Sequence, residues 1–215
     1  MLSESMQDYL KTIYDLRQQS GRATTNALAE KLGVKAGSVT GMIQRLAEMK
    51  LVAYEPYQGA ALTQAGEKMA LAIIRHHRLV ELYLTEAMGY TWDRVHEEAD
   101  RLEHAISDEF ADKISSLLGD PKVDPHGDPI PSKDGTMAAF STDTLDRVPT
   151  GSTVRIERVR DEDSCVLRKV AQLGLMPGTV IQVDREDAQM VVVFGDGLRT
   201  PVDHAVAQHI FVTAV

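Results

Sequence analysis

The hydrophobic pattern of this 215-residue chain changes once, across a proline-rich segment. Residues 120–131 (DPKVDPHGDPIP) hold four of the eight prolines, so this segment must be irregular. Before it, apolar residues recur at helical spacing. After about Thr142 they fall in short alternating runs (TVRIERV, TVIQVDRE, MVVVF and HIFVTAV), with one short helix expected around residues 167–174. The pattern predicts a mainly α protein with a small β part, a C-terminal β-barrel of about 70 residues.

The first 64 residues predict a winged helix-turn-helix. Gly21 ends a first helix, Thr25 or Asn26 caps a short second one, and Gly33 forms the turn before a third helix. The following segment, LVAYEPYQGAALT, is typical of two short strands that form a wing. Small or polar residues on the third helix can approach a DNA groove. The residues expected to contact DNA are Lys35, Ser38, Thr40 and Gln44, with Tyr57 on the wing.

Charge is unevenly distributed along the chain. The net charge of −9 argues against nucleic-acid binding when it is taken globally. By region, however, residues 1–64 carry +1, residues 65–120 carry −6 and residues 121–215 carry −4. The predicted DNA-binding region is therefore close to neutral, and most of the acidity lies in the middle segment. That segment predicts two long helices, broken near Gly89.

Targeting signals are not evident in the sequence. No apolar run approaches the roughly 18 residues of a membrane span, and the N-terminus lacks the pattern of a signal peptide. Cys165, the only cysteine, is expected on a β-barrel strand; it excludes an intrachain disulfide and a cysteine-rich zinc module. These features predict a cytoplasmic protein without membrane contact.

Imidazole and carboxylate side chains on neighbouring helices predict a divalent metal site. They are His77, Glu81, His96, Asp100, Glu103 and His104. At about 100° per residue the last four share one side of a helix, while the first two form an i, i+4 pair. Carboxylates grouped at the edge of a core repel one another unless a cation joins them. A donor set without thiolate favours Mn(II) or Fe(II), and Zn(II) is also compatible.

Two other interpretations remain open from the residues alone. The acidic face can be a solvated helix surface in a winged-helix regulator that answers an organic effector. It can also be the site of a metal-dependent hydrolase with the N-terminal helices as a scaffold. The sequence contains no HExxH, no GxSxG and no phosphate-binding glycine loop, which weighs against the enzyme.

Several motifs, in order, resemble the diphtheria toxin repressor family of metal-dependent transcriptional regulators. They are DYLKTIYDL, SVTGMIQRLAEMKLV, HHRLVELYL, VHEEADRLEHAIS and GDPIP, followed by LGLMPGTVIQV, which is similar to the FeoA-type β-barrel of three-domain members. The resemblance implies three domains. These are a DNA-binding domain (1–64), a helical metal-binding and dimerisation domain with a proline-rich linker (65–141) and a FeoA-like barrel (142–215).

The resemblance also implies the ligands. The primary site would use Asp8, Asp100, Glu103 and His104. An ancillary site would use His77, Glu81 and His96 and be completed from the β-barrel. The acidic loop Asp161, Glu162 and Asp163 is the candidate for that contribution.

Departures from the family pattern bear on the choice of metal. Iron-type members have methionine in place of Asp8 and cysteine in place of Asp100, so this chain has harder donors at both positions. Manganese-type members have glutamate in place of Lys11, so the binuclear arrangement of two-domain manganese regulators does not carry over directly. We expect Mn(II) first and Fe(II) second, with Zn(II), Co(II) or Cd(II) as substitutes.

The implied activity is regulation and not enzymatic catalysis. A metal-loaded homodimer would bind palindromic, double-stranded operator DNA and control metal homeostasis genes, most simply by repression. No small-molecule substrate is expected.

Overall fold

The computed structural model describes residues 2–55, 59–161, 163–186 and 189–215. The chain divides into two compact units. The first comprises Met1–His77, Glu103–Asp108 and Pro131–Met137. The second comprises Arg78–Leu102, Glu109–Ile130 and Ala138–Val215.

The first unit begins with three helices in helix-turn-helix order. They are α1 (Glu4–Ser20), α2 (Thr25–Lys31) and α3 (Ala36–Glu48). The Ser3 hydroxyl accepts a hydrogen bond from the Met6 amide at the start of α1, and Gly21 ends this helix in the left-handed conformation. Thr24 caps α2 through its side chain, one residue before the expected cap. Leu10, Leu28 and Leu46 are fully buried in the core that the three helices share.

A two-stranded wing follows α3, as the sequence predicts. Strands β1 (Val52–Glu55) and β2 (Gly59–Leu62) pair antiparallel, with Val52 opposite Leu62. Gly59 has φ of 86°, and a Cβ there would lie 2.2 Å from the carbonyl oxygen of Ala23. Only glycine therefore lets the wing approach the segment before α2. The expected wing residue Tyr57 lies outside the described residues.

Three helices, and not two long ones, occupy the middle segment. They are α4 (Gln64–Met88), α5 (Val95–Leu102) and α6 (Asp108–Leu117). The break at Gly89 is confirmed, with φ of 72°. The prediction that Glu103 and His104 continue a helix with His96 is wrong, because α5 ends at Leu102 and both residues lie in the turn after it. Contacts of both side chains with α1 replace the regular helical position that local spacing predicts.

The second unit contains an antiparallel five-stranded sheet. Its strands are β3 (Thr153–Val159), β4 (Val180–Glu186), β5 (Gln189–Phe194), β6 (Arg199–Val202) and β7 (Ile210–Ala214), in the spatial order β6-β5-β4-β3-β7. A 3-10 turn (Leu145–Arg147) precedes the sheet, α7 (Ser164–Gln172) follows β3 and α8 (His204–Ala207) precedes β7. The short strand β6 is absent from the sequence prediction because its RTPV run hardly alternates. Cys165 lies exposed on α7, so its placement on a strand is wrong.

The proline-rich segment is irregular but well ordered around Asp124. One carboxylate oxygen of Asp124 accepts hydrogen bonds from the amides of His126 (2.8 Å) and Asp128 (3.0 Å). The amide of Val159, at the end of β3, donates to the carbonyl oxygen of His126 (2.8 Å). A Cβ on Gly127 would lie 2.0 Å from the carbonyl oxygen of Glu157. Glycine thus allows this loop to lie directly on β3.

Candidate metal centre

The first cluster of metal-binding side chains joins α1 to the turn after α5, and we call it the α1 cluster (Asp8, Glu103 and His104). The Nε2 atom of His104 is 2.9 Å from Asp8 Oδ1 and 3.5 Å from Glu103 Oε1. One ligand atom from each of the three lies within 4.8 Å of the others. The Nδ1 atom of His104 is 2.9 Å from Gln7 Oε1, which can only accept. Nδ1 therefore donates to Gln7, and Nε2, which faces the carboxylates, is the nitrogen that a metal ion can contact in place of a proton.

Lys11 and His77 contact the other oxygen of Glu103. The Oε2 atom of Glu103 is 2.5 Å from His77 Nδ1 and 2.8 Å from Lys11 Nζ. The Glu103 side chain is only 1% exposed, so this charge is almost fully enclosed. The sequence identifies Lys11 only as a departure from the family pattern. Lys11 lies beside the α1 cluster because it is about one helical turn after Asp8 on α1.

Burial and charge act in opposite directions on the two carboxylates of the α1 cluster. Burial alone raises the pKa of Glu103, but the His77 hydrogen bond and the Lys11 charge outweigh it, so this pKa lies below its ordinary value. Burial raises the pKa of Asp8, and His104 opposes that shift without cancelling it. Glu103 is therefore held ionised, whereas Asp8 is easier to protonate.

Asp100, the remaining residue of the predicted primary site, lies on α5 in the second unit. Its side chain is 49% exposed, and Oδ2 is 3.5 Å from Nε2 of His96. Its assignment to the primary site stays a prediction.

A second group of donors lies within the second unit, and we call it the loop cluster (Glu81, His96, Asp124, His126 and Asp161). Nδ1 of His96 is 3.0 Å from Glu81 Oε1 and 3.3 Å from Asp161 Oδ2. Asp161 follows β3, so the C-terminal part of the chain contributes a carboxylate here. Of the other two candidates in that acidic loop, Asp163 instead caps α7 by accepting hydrogen bonds from the amides of Cys165 and Val166. Glu162 lies outside the described residues.

Asp124 and His126 were not predicted as site residues. Both lie in the proline-rich segment, which has no helical or strand periodicity to show which side chains share a face. One ligand atom each from Glu81, Asp124 and His126 lies within 4.8 Å of the others, and all three residues are buried. The only signal available was composition: a histidine between aspartates in a segment rich in proline and glycine.

Trp92 sets the orientation of the His126 ring. The backbone carbonyl oxygen of Trp92 accepts a hydrogen bond of 2.7 Å from His126 Nε2, and the two rings stack with centroids 5.5 Å apart. Since Nε2 carries a proton, Nδ1 is the atom left to act as a ligand. It lies 3.8 Å from Glu81 Oε2.

Two histidines of the loop cluster have strongly raised pKa values. Burial lowers the pKa of His96, but Asp161 and Glu81 outweigh it and raise this pKa to about 11. Burial acts the same way on His126, where Glu81 and Asp124 raise the pKa to about 10. Burial raises the pKa of Asp124 well above its ordinary value, with Asp128 and Glu81 adding to the shift. Protons thus neutralise part of this buried charge.

The loop cluster fits a divalent cation. Oδ2 of Asp124 and Nδ1 of His126 are buried and make no hydrogen bond with a described residue. The nearest guanidinium nitrogen to Asp124 Oδ2 is Arg78 Nε, at 3.6 Å. Buried polar atoms without hydrogen bonds are costly, so two of them facing one cluster indicate a missing partner. Carboxylate and imidazole donors without sulfur match Mn(II) or Fe(II).

Three of the predicted DNA-contacting residues, Ser38, Thr40 and Gln44, lie on the exposed surface of α3, and a fourth, Lys35, is its N-cap. Lys35, Ser38, Thr40 and Gln44 are all exposed, whereas Val39 and Leu46 on the opposite side are fully buried. The exposed face is free of acidic residues until Glu48 at its end. Such a surface can enter a groove without repelling phosphate.

Among the described residues, none of the helices combines the length and apolar character that a bilayer crossing requires.

Three family models match the chain in sequence. Residues 1–60 match the N-terminal DNA-binding domain of iron-dependent repressors. Residues 63–132 match their metal-binding and dimerisation domain. Residues 144–214 match the FeoA domain.

Similar proteins cover almost the whole chain. The diphtheria toxin repressor of Corynebacterium efficiens is 31% identical over 202 residues, which are 94% of this chain and 83% of the relative. A solved structure of a manganese-dependent transcriptional repressor in complex with manganese has a TM-score of 0.89 at 35% identity, covering 97% and 99% of the two chains. The structure of the repressor ScaR with bound Zn²⁺ has a TM-score of 0.81 at 31% identity, covering 98% and 99%.

A winged helix-turn-helix, a buried carboxylate–imidazole centre and a FeoA domain together define a metal-dependent transcriptional regulator. The chain belongs to the diphtheria toxin repressor family of iron-dependent repressors. The family and the fold class expected from the sequence are confirmed. The members of this family are DNA-binding repressors, which is not an enzyme class.

Proposed function

We propose that this protein represses transcription by binding operator DNA when its α1 cluster holds Mn(II) or Fe(II). The observation that carries the proposal is the pairing of Asp8, on the first helix of the winged domain, with His104 in the turn after α5. Because its ligands come from two segments that are distant in sequence, the bound ion can fix the position of the DNA-binding helices.

The residues of the α1 cluster have separable roles in this proposal. Glu103 supplies a permanent negative charge, because its low pKa keeps it ionised. His104 presents Nε2 as a metal ligand, because its Nδ1–H donates a hydrogen bond to Gln7. Asp8 brings α1 to the site. A divalent ion bound there supplies the positive charge that lets Asp8 and Glu103 remain close without mutual repulsion. Asp100 is retained as a further candidate ligand.

The loop cluster is proposed as a second site for the same metals. Glu81, His96, Asp124, His126 and Asp161 would hold the ion, with His77 kept as a candidate from the sequence. Because Asp161 follows β3, occupation of this site would tie the FeoA domain to α4 and α5. The oxygen-rich donor set favours Mn(II) over Zn(II), Co(II) and Cd(II), with Fe(II) second.

A homodimer acting on palindromic DNA is the proposed assembly. The matched domain is named for dimerisation, and α6 exposes two large apolar side chains, Phe110 (49%) and Leu117 (71%). Twofold symmetry would present two α3 helices to half-sites about one helical turn apart. We retain the domain boundaries 1–64, 65–141 and 142–215 and propose the cytoplasm as the place of action.

A DNA-binding titration tests the function directly. Purified dimer is mixed with fluorescent DNA from its own promoter region, and anisotropy is followed as Mn(II), Fe(II) or Zn(II) is added under anaerobic conditions. We expect specific binding that requires metal, with Mn(II) effective at the lowest concentration. Metal binding without a DNA response would favour the hydrolase, and DNA binding indifferent to metal would favour an organic effector.

Substitutions on α3 and at its N-cap should separate base contacts from phosphate contacts. Gln44→Ala should cost about 1–3 kcal/mol on the specific operator and relax the preference at one base pair. Lys35→Ala should weaken binding to all sequences and lower the salt slope by about 1. Competition assays at several salt concentrations measure both effects. Glu48→Gln, at the end of the same exposed face, is the matched control and should lose no affinity.

A further inference from the structure

The two carboxylate oxygens of Glu103 face different neighbours. Oε1 is 3.5 Å from His104 Nε2, on the side where Asp8 lies. Oε2 is 2.5 Å from His77 Nδ1. Glu103 therefore separates two donor sets. One consists of Oε1 with Asp8 and His104, and the other consists of Oε2 with the imidazole of His77.

The second donor set is already in contact with a cation. Nζ of Lys11 is 2.8 Å from Glu103 Oε2 and 3.1 Å from His77 Nδ1. Lys11 comes from α1, three residues after Asp8, so both side chains project from one face of that helix. Its side chain is only 18% exposed, and the ammonium is held between buried partners. An oxygen and an imidazole nitrogen that would suit a divalent ion instead contact an ammonium group.

We propose that Lys11 is a built-in cation that limits the α1 cluster to one divalent ion per subunit. This inference rests on the proposed function of the α1 cluster. A second ion bridged by Glu103 would have to bond to Oε2 and His77, the two groups that Lys11 contacts. An ammonium and a divalent ion cannot share these partners at contact distance, because like charges repel strongly where water is excluded.

Lys11 also limits the positive charge that the centre can accept. Its single charge offsets that of Glu103, so one divalent ion bound at Asp8, Glu103 and His104 meets one remaining carboxylate charge. Two ions at the same place would leave a large uncompensated positive charge in a buried position, which is unfavourable. Specificity for a single ion thus follows from one side chain of α1.

Reversing the charge of Lys11 tests this inference in the full-length protein. The loop cluster is first disabled by His126→Ala with Asp161→Ala, so that only the α1 cluster binds. This background should hold about one Mn(II) per subunit, with the resolved hyperfine EPR pattern of isolated ions. Adding Lys11→Glu should raise the number to about two and broaden the signal, since carboxylate-bridged ions lie within about 4 Å. Lys11→Gln, neutral and similar in length, should admit a second, weaker ion.

The charge-matched control is Arg22→Glu, an exposed position in the same unit. It makes the same change in net charge and should leave the stoichiometry at about one. Two coupled ions in the background protein, with Lys11 in place, would overturn the inference. So would a single ion in both folded Lys11 variants. If the background binds no Mn(II), the α1 cluster is not a metal site, and the proposed function fails together with the inference.

Discussion

Replacing Glu103 with glutamine should remove the response of DNA binding to manganese. Glu103 contacts His104, His77 and Lys11, so it connects the ligands of the α1 cluster to the rest of the centre. Glutamine keeps the volume and one oxygen but loses the negative charge on which the cation depends. The affinity gained on adding Mn(II), which is typically 5–150-fold for coupled sites, should fall to about onefold.

Glutamine is preferred to alanine at this position for a physical reason. Glutamine keeps a side-chain oxygen that can accept a hydrogen bond from Lys11, whereas alanine removes both oxygens and leaves a cavity beside a buried charge, which destabilises a protein by about 3–5 kcal/mol. A loss of function in that variant could come from unfolding. Circular dichroism and gel filtration of the glutamine variant should match those of the unchanged protein.

Fluorescence anisotropy with operator DNA, with and without Mn(II), measures the effect. Asp8→Asn should give the same loss, because its carboxylate is the contribution of α1 to the cluster. Glu97→Gln, exposed on α5, changes the charge equally and should keep the full response. Operator binding by Glu103→Gln that still requires Mn(II) would show that the cation binds elsewhere.

The local sequence pattern was sufficient to predict the helices and strands that bury one face. The helix-turn-helix, the wing and four of the five sheet strands follow from apolar periodicity and from glycines at turns. Local pattern failed where tertiary contacts determine the backbone conformation. Glu103 and His104 leave the helical path because α1 supplies partners for both side chains. No periodicity within VHEEADRLEH contains that information.

The prediction of the loop cluster from the sequence had the same limitation. Its residues come from four segments, and Asp124 and His126 lie in a loop whose order depends on β3. Sequence spacing can relate residues within one helix, but it cannot show which residues of an irregular loop face that helix. Asp161 was suggested only because family resemblance indicated a ligand from the C-terminal domain. Only the folded structure therefore shows which side chains from distant segments lie close together.

Binding of Mn(II) to the loop cluster should be strongly dependent on pH. The carboxylates Glu81 and Asp161 raise the pKa of His96 to about 11, and Glu81 with Asp124 raises that of His126 to about 10. Both rings are therefore protonated at neutral pH before metal binds. A metal ligand must be neutral imidazole, so each ion has to displace both protons. Below these pKa values, affinity should rise about tenfold per pH unit for each proton, so the two rings alone give about 100-fold per unit.

The charge of the loop cluster explains why the exchange of two protons for one Mn(II) ion is favourable. In the protonated state two imidazolium charges balance buried carboxylates, and a divalent ion replaces them with an equal charge. This exchange at the two rings therefore keeps the enclosed charge constant while it releases about two protons. Raising the pH favours the metal-bound form, and lowering it favours the protonated one.

The fluorescence of Trp92 can be used to measure metal binding to the loop cluster. Trp92 is the only tryptophan of the chain, and its ring stacks on that of His126, so its fluorescence should change when the loop cluster binds metal. Titrations of Asp8→Asn/Glu103→Gln, in which the α1 cluster is disabled, should give Kd values about 100-fold apart at about pH 6.5 and 7.5. Calorimetry in two buffers of different ionisation enthalpy counts the protons independently. An affinity that stays constant across this range would mean that the two rings are already neutral, and the cluster would then bind its ion without proton exchange.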